Sequence, residues 1–281
     1  MPIIDSQMHM WTAGKPSPHH SRGRPDPFAV EHVLAEMDAA GVDGAILAPP
    51  AWDPGGNGPS LAAARAYPNR FAVTGAIDWL GEPAPMLVQR WRDQPGMYGL
   101  RLIFNTPEKQ AHLRDGTVEW IWATAERADV PVMLLVPGGL AEARAIAERH
   151  PGLRLCIDHL GIPRGAKDGA AFAHLPDLVG LARLPNVSVK AGGLPAYSSA
   201  DAYPYPSIHG YLRQVYDGFG PERIFWASDL SRMSCPYREV VTLITEGIPW
   251  LTAEDKRLIM GDAVCRWLGW QPEAATARAT A

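Results

Sequence analysis

The segment PIIDSQMHMW (residues 2–11) reads as a buried first strand that runs out into polar chemistry. Apolar residues lead into Asp5, after which Gln7, His9 and Trp11 fall on alternate positions. Side chains at i, i+2 and i+4 share one face of a strand, so the spacing predicts that Asp5, Gln7 and His9 point together at its C-terminal end. A short apolar strand of this kind belongs to a parallel sheet covered on both faces. The rest of the chain should then repeat it, with helical segments in between.

It does so seven times. Strand-like runs recur at 44–49, 71–78, 98–104, 131–136, 153–159, 187–192 and 223–229, after a first at 2–5. Between them lie amphipathic stretches. EHVLAEMDAAG (31–41) places Val33, Leu34, Met37 and Ala40 on one face and stops at a glycine, and 117–129 and 140–152 have the same character. Eight β–α alternations predict a closed parallel (β/α)8 TIM barrel, an α/β fold of one domain over residues 1–270 with a flexible tail at 271–281. The rival is an open doubly wound sheet, but no G-x-G-x-x-G follows an early strand. In the terminal region 236–270, Thr252 with Asp255 three residues on predicts a capped helix start.

Composition narrows the class. Hydrophobic residues make up 47% of the 281 and charged residues 20%, enough for a sizeable core. A net charge of −4 gives no basic field for nucleic acid or an anionic membrane surface. Three scattered cysteines, an odd number, argue against a disulfide framework, and no apolar run approaches the roughly 20 residues of a membrane span. With no positively charged leader, the expectation is a soluble cytoplasmic protein. Ten tryptophans imply exposed aromatic surface that a homo-oligomer would cover.

In a barrel, chemistry is assembled where strands end. Asp5, Gln7 and His9 end the first, Arg101 lies in the fourth, Asp158 and His159 end the sixth, Lys190 lies in the seventh, and Ser228 and Asp229 end the eighth. Each has a plain structural explanation beside the functional one. The structural explanation is a satisfied core histidine for His9, a loop histidine bonding the next turn for His159, a helix cap for Asp229, and a group orienting His9 for Asp5. Asp158, alternating with His159, is expected to face the helix layer. Arg101 and Lys190, charged near a barrel interior, must meet either an acid or a substrate anion. Trp11, Trp52 and Tyr197 are candidate walls for a flat or ring-shaped substrate, whereas Trp226 suits the core. His209 is placed to overhang the site. His19 and His20 fit a solvated loop, and His112, His150 and His174 fit helix ends.

These segments together resemble the amidohydrolase superfamily: IDSQMHMW, IDHLG, NVSVKAGGLPAY, RIFWASDLS and the terminal GDAVCRWLGW, in that order over nearly the whole chain. The branch they are most similar to contains 2-pyrone-4,6-dicarboxylate lactonase and the sugar lactonases. That resemblance implies a (β/α)8 barrel with a hydrolytic site at the strand C-termini. The family's first-strand His-x-His stands here as Gln7 and His9. Its later His and Asp match His159 and Asp229. The metal-bridging residue of binuclear members has no counterpart, since the fourth strand offers Arg101 and PVMLLVPGG (131–139) contains no ligand.

His9, His159 and Asp229 therefore suit one divalent ion, Zn or Mn, with Gln7 as a weak further ligand, or a site that works without metal. The expected activity is hydrolysis of a lactone or other activated ester of a small anionic cyclic or aromatic acid. Asp229 would be the general base, His9 and His159 would stabilise the oxyanion, and Arg101 and Lys190 would bind a carboxylate. Two alternatives stand beside this reading: a metal-dependent decarboxylase of aromatic or unsaturated acids, and a non-catalytic ligand-binding barrel.

Overall fold

A computed structural model describes residues 1–13, 24–81 and 84–273. Its strands are β1 (Ile4–Met8), β2 (Gly44–Leu47), β3 (Phe71–Gly75), β4 (Met97–Ile103), β5 (Val132–Leu135), β6 (Leu155–Ile157), β7 (Val187–Gly192) and β8 (Ile224–Ala227). Every pairing is parallel and the spatial order is the chain order, β1 to β8. This is the (β/α)8 barrel expected from the alternation. All eight strands fall on or beside their predicted runs, although the first continues to Met8 instead of stopping at Asp5, and the third ends at Gly75.

The strands are apolar throughout because both faces are covered. Ile4, Ile46, Ala72, Met133, Cys156 and Phe225 fill the barrel interior. Their neighbours Leu47, Val73, Val132, Leu134, Ile157, Val189 and Trp226 belong to the layer under the helices. Each such aliphatic side chain taken fully out of water stabilises the fold by about 1.5–3 kcal/mol before entropy is counted. The first helix, Val30–Ala40, buries Val33, Met37 and Ala40 and ends where Gly41 takes a left-handed φ of 81°. That conformation costs a glycine nothing and lets the chain turn back into β2. The Thr252–Asp255 capping box forms as read from the sequence.

One irregularity in β1 decides the site above it. Asp5 pairs with Ala45 and Met8 with Leu47, so three steps on β1 match two on β2. The extra residue is a bulge, and it reverses the alternation. Ile4 faces the interior, yet Met8, an even number of residues later, faces the helices. Asp5, which precedes the bulge, faces outward by ordinary alternation from Ile4, and the bulge is what turns Gln7 and His9 to the other face. The Asp5 carboxylate accepts hydrogen bonds from the Ser228 backbone N–H (3.0 Å), the Ser228 hydroxyl, the Tyr237 hydroxyl (2.6 Å) and the Gln7 backbone N–H (3.0 Å). The expectation that Asp5 points with Gln7 and His9 is thus corrected.

Asp5 instead ties β1 to β8, helped by Ser6 Oγ donating to the Trp226 carbonyl at 2.7 Å. Burial raises the Asp5 carboxyl above its ordinary range, with the hydrogen bonds from Ser228 and Tyr237 acting against it.

Trp270 packs with Ile4 and Phe225 at the N-terminal end of the barrel. A side chain on Gly44 would lie 2.9 Å from its ring. None of the ten tryptophans is exposed, so the aromatic-surface argument for an oligomer is withdrawn; the exposed large apolar residues are Met1, Tyr67, Leu80, Met86, Leu87 and Tyr203. Among the described residues no helix is long and apolar enough to cross a membrane.

Candidate active site

His9, His159 and Asp229 converge at the C-terminal mouth of the barrel. The β1 bulge turns His9 inward. His159 and Asp229 arrive by a different device: both have left-handed backbones, with φ of 52° and 48°. A non-glycine residue adopts that conformation at some energetic cost. Here it swings each side chain from the strand's alternation into the mouth. Asp229 Oδ1 lies 3.3 Å from His9 Nε2, and Oδ2 lies 3.7 Å from His159 Nε2. Asp229 sits where a helix cap would, but its side chain caps nothing.

The hydrogen bonds settle where the protons are. His9 Nδ1 faces the Ala48 carbonyl at 2.6 Å and His159 Nδ1 faces the Gly192 carbonyl at 3.1 Å. A carbonyl oxygen can only accept, so both Nδ1 atoms carry hydrogen, and Nε2 is the atom each ring turns toward Gln7 and Asp229. Gly192 is required for this approach, because a Cβ there would lie 3.0 Å from His159 Nδ1. Burial lowers the His159 pKa to about 4, against the pull of Asp229 in the other direction, so the ring is neutral at neutral pH.

Gln7 occupies the space between the rings. Its amide nitrogen is 3.0 Å from His159 Nε2 and 3.4 Å from His9 Nε2, while its Oε1 accepts from Lys190 Nζ at 3.1 Å. An ammonium only donates, so Oε1 must face Lys190 and the NH2 group must face the imidazoles.

Beneath Gln7 lies a sealed ionic layer. Asp158 takes Lys190 Nζ at 2.8 Å on one oxygen and Arg101 Nε at 2.8 Å on the other. Asp158 and Lys190 have no exposed surface and Arg101 is 7% exposed. Burial alone would raise the Asp158 carboxyl, but Lys190 and Arg101 override it and hold it far below the carboxylate range. The expectation that Asp158 faces the helices is therefore wrong. β6 stops at Ile157, so Asp158 follows the inward parity of Cys156, and it is His159 that leaves the alternation. Arg101 and Lys190 meet an acid of the protein itself. Arg101 does so through Nε only, and its Nη groups make no hydrogen bond to the described residues.

Arg232 was not singled out in the sequence. Its Nη1 lies 3.1 Å from Asp229 Oδ2, and its guanidinium lies 5.7 Å from the centre of the Tyr197 ring. The signal was present as a cation three residues after the strand-end aspartate. Burial would raise the Asp229 carboxyl; the hydrogen bond from His9 and the charge of Arg232 prevail and keep it well below the ordinary value. Trp11 is wholly buried against Phe28, with ring centres 5.3 Å apart, and its indole N–H donates to Asp26, so it is core and not a wall. Trp52 is half-buried at its edge, and Tyr197 is buried beside Arg232. His209 binds the Pro204 carbonyl of its own loop at 2.7 Å, not the mouth. His19 and His20 lie outside the described residues.

Residues 4–278 match the amidohydrolase family. The chain belongs to that family. A curated relative, L-fucono-1,5-lactonase of Burkholderia ambifaria, is 30% identical over 162 residues, which are 56% of this chain and 54% of the lactonase. The matched segment thus spans about half of that relative. Among solved structures, a zinc-bound amidohydrolase from Burkholderia multivorans superposes with a TM-score of 0.79 at 23% identity, covering 96% of this chain and all of that one. A probable 2-pyrone-4,6-dicarboxylic acid hydrolase from Acinetobacter baumannii, with citric acid bound, gives 0.70 at 18%, with coverage of 96% and 100%. At such identities the two structures establish the shared barrel.

Zinc in one of these structures prompts the question of fit. Among the described residues no group of three or more His, Cys, Asp or Glu is placed to hold a metal ion. His9, His159 and Asp229 do face one another, but the NH2 group of Gln7, which offers a metal no lone pair, is set against the Nε2 atoms of both rings. As arranged, these residues do not fit an ion.

Proposed function

We propose that this amidohydrolase hydrolyses a lactone, or another cyclic or activated ester, of a small anionic acid. The observation that carries the reading is the Asp229 carboxylate held 3.3 Å from Nε2 of His9. Such a pair accepts a proton from water and returns it to a leaving alkoxide. Asp229 takes the proton as the water oxygen attacks the carbonyl. The ring C–O bond then breaks and the proton passes to the departing oxygen.

His159 has a different part from the one expected. An oxyanion needs a donor, and the proton of the neutral His159 ring is on Nδ1, turned toward Gly192. His159 shapes the pocket, and the charge developing on the carbonyl oxygen falls to the guanidinium groups of Arg101 and Arg232. Three cations, Arg101, Lys190 and Arg232, stand against two carboxylates held in ionised form, Asp158 and Asp229, so the mouth keeps positive charge. That excess favours an anionic substrate, and the free edge of Arg101 has the fork that pairs with a carboxylate. Similarity to an L-fucono-1,5-lactonase supports a sugar-acid lactone as the first substrate to try.

The test is a pH-stat assay of acid release from sugar-acid 1,4- and 1,5-lactones, with Asp229→Asn beside the wild type. Hydrolysis by the wild type and a loss of about 10²-fold or more in the variant are expected. Release of CO2 from an aromatic acid instead would identify a decarboxylase. Binding without turnover in either protein would identify a non-catalytic barrel.

A further inference from the structure

We infer that Gln7, oriented by the buried Lys190–Asp158 pair, closes the two-histidine, one-carboxylate site of this chain to divalent metal. The inference concerns the state of the site and is independent of which ester it cleaves.

Three observations combine. First, the atoms a metal would need are Nε2 of His9 and His159, because Nδ1 of each ring holds its hydrogen toward a backbone carbonyl. Metal-binding histidines show this same arrangement, so the rings themselves are competent. Second, the group lying between those two nitrogens is the NH2 of Gln7, a donor at 3.0 Å from His159 and 3.4 Å from His9. It fills the space between the rings with hydrogen and offers no electron pair. Third, Gln7 cannot turn its oxygen to them. Lys190 Nζ is 3.1 Å from Oε1, and flipping the amide would set NH2 against an ammonium. Lys190 has nowhere else to go, since it has no exposed surface and its Nζ is fixed 2.8 Å from Asp158.

The lock is therefore one atom deep. Gln7→Glu replaces the NH2 by an oxygen of nearly the same size and leaves the other oxygen for Lys190. That changes a donor into an anionic ligand facing His9, His159 and Asp229, a donor set suited to Zn or Mn.

The experiment is elemental analysis of wild type, Gln7→Glu and Gln7→Glu/Asp229→Asn after equilibration with Zn or Mn and gel filtration, with thermal melts in the presence and absence of each ion. The wild type should retain background metal and show no ion-dependent change in Tm. Gln7→Glu should retain about one equivalent, as expected for a single mononuclear site, and melt at a higher temperature with the ion than without. The double variant should return to background. Stoichiometric metal in the wild type that Asp229→Asn removes would overturn the inference, as would a folded Gln7→Glu protein that stays at background. If Gln7→Glu does not fold, Gln7→His is read in the same way, since it too removes the amide donor.

Discussion

Lys190 Nζ lies 2.8 Å from Asp158 Oδ1, and neither side chain reaches solvent. Removing one member of such a pair leaves a charge without its partner in a medium that cannot solvate it. Arg101 still holds the other oxygen of Asp158, so Lys190→Met should cost about 3 kcal/mol, the low end for a broken buried pair. For a chain of this length that is a fall in Tm of about 6–12 °C. Thermal unfolding followed by circular dichroism measures it. An unchanged Tm would mean that Asp158 is neutral and the layer is not ionic.

Beside its part at the carbonyl oxygen, Arg232 acts on the reaction through Asp229, which it contacts at 3.1 Å. Its charge is among the influences that keep that carboxylate ionised despite burial. Arg232→Met should move the acid limb of the pH–rate profile of the proposed hydrolysis to higher pH, because Asp229 then protonates more readily as pH falls. A purely structural role would lower activity at all pH values and leave the limb in place.

Gly192 is the floor against which His159 rests. Gly192→Ala would bring a methyl carbon to 3.0 Å from Nδ1 and 3.3 Å from Cε1 of that ring. Neither distance is comfortable, so the ring must move. The shift required is only a few tenths of an ångström, whereas about 1 Å in a reacting constellation costs on the order of 10²-fold in rate. We expect kcat to fall by less than that, about 10-fold, while the Tm drops by only a few degrees. Equal activity would show that the position of His159 does not matter to turnover.

The contrast between what was and was not legible has a physical basis. Hydrophobic periodicity extends over whole elements, so eight strands and the helix stop at Gly41 could be read from local pattern alone. His9, His159 and Asp229 were legible for the same reason, as polar residues ending apolar runs. What failed was direction. Asp5 and Asp158 were assigned to the wrong faces because strict alternation was applied across a bulge after Asp5 and across the left-handed backbone of His159. No composition cue marks either one: the bulge has no glycine, and His159 is an ordinary residue in an unusual conformation. The donor orientation of Gln7 was illegible too, since it depends on Lys190, 183 residues away in sequence.

The neutral, buried His159 should also make stability depend on pH. Its pKa is about 4 in the folded chain against an ordinary 6.5, so the unfolded state takes up the proton first as pH falls. Stability is then fully present above about pH 6.5, declines between there and about pH 4, and levels off below. At 1.36 kcal/mol per pKa unit the loss is on the order of 3 kcal/mol. Asp158 and Asp229, both held below the carboxylate range, extend the decline at lower pH by the opposite route: their ionised forms stabilise the fold and are lost on protonation. Denaturant melts across pH 7.5 to 4.5 should therefore show a falling midpoint in the wild type, and a flatter one in His159→Gln, whose side chain does not titrate. An equal slope in both proteins would assign the acid sensitivity to another group.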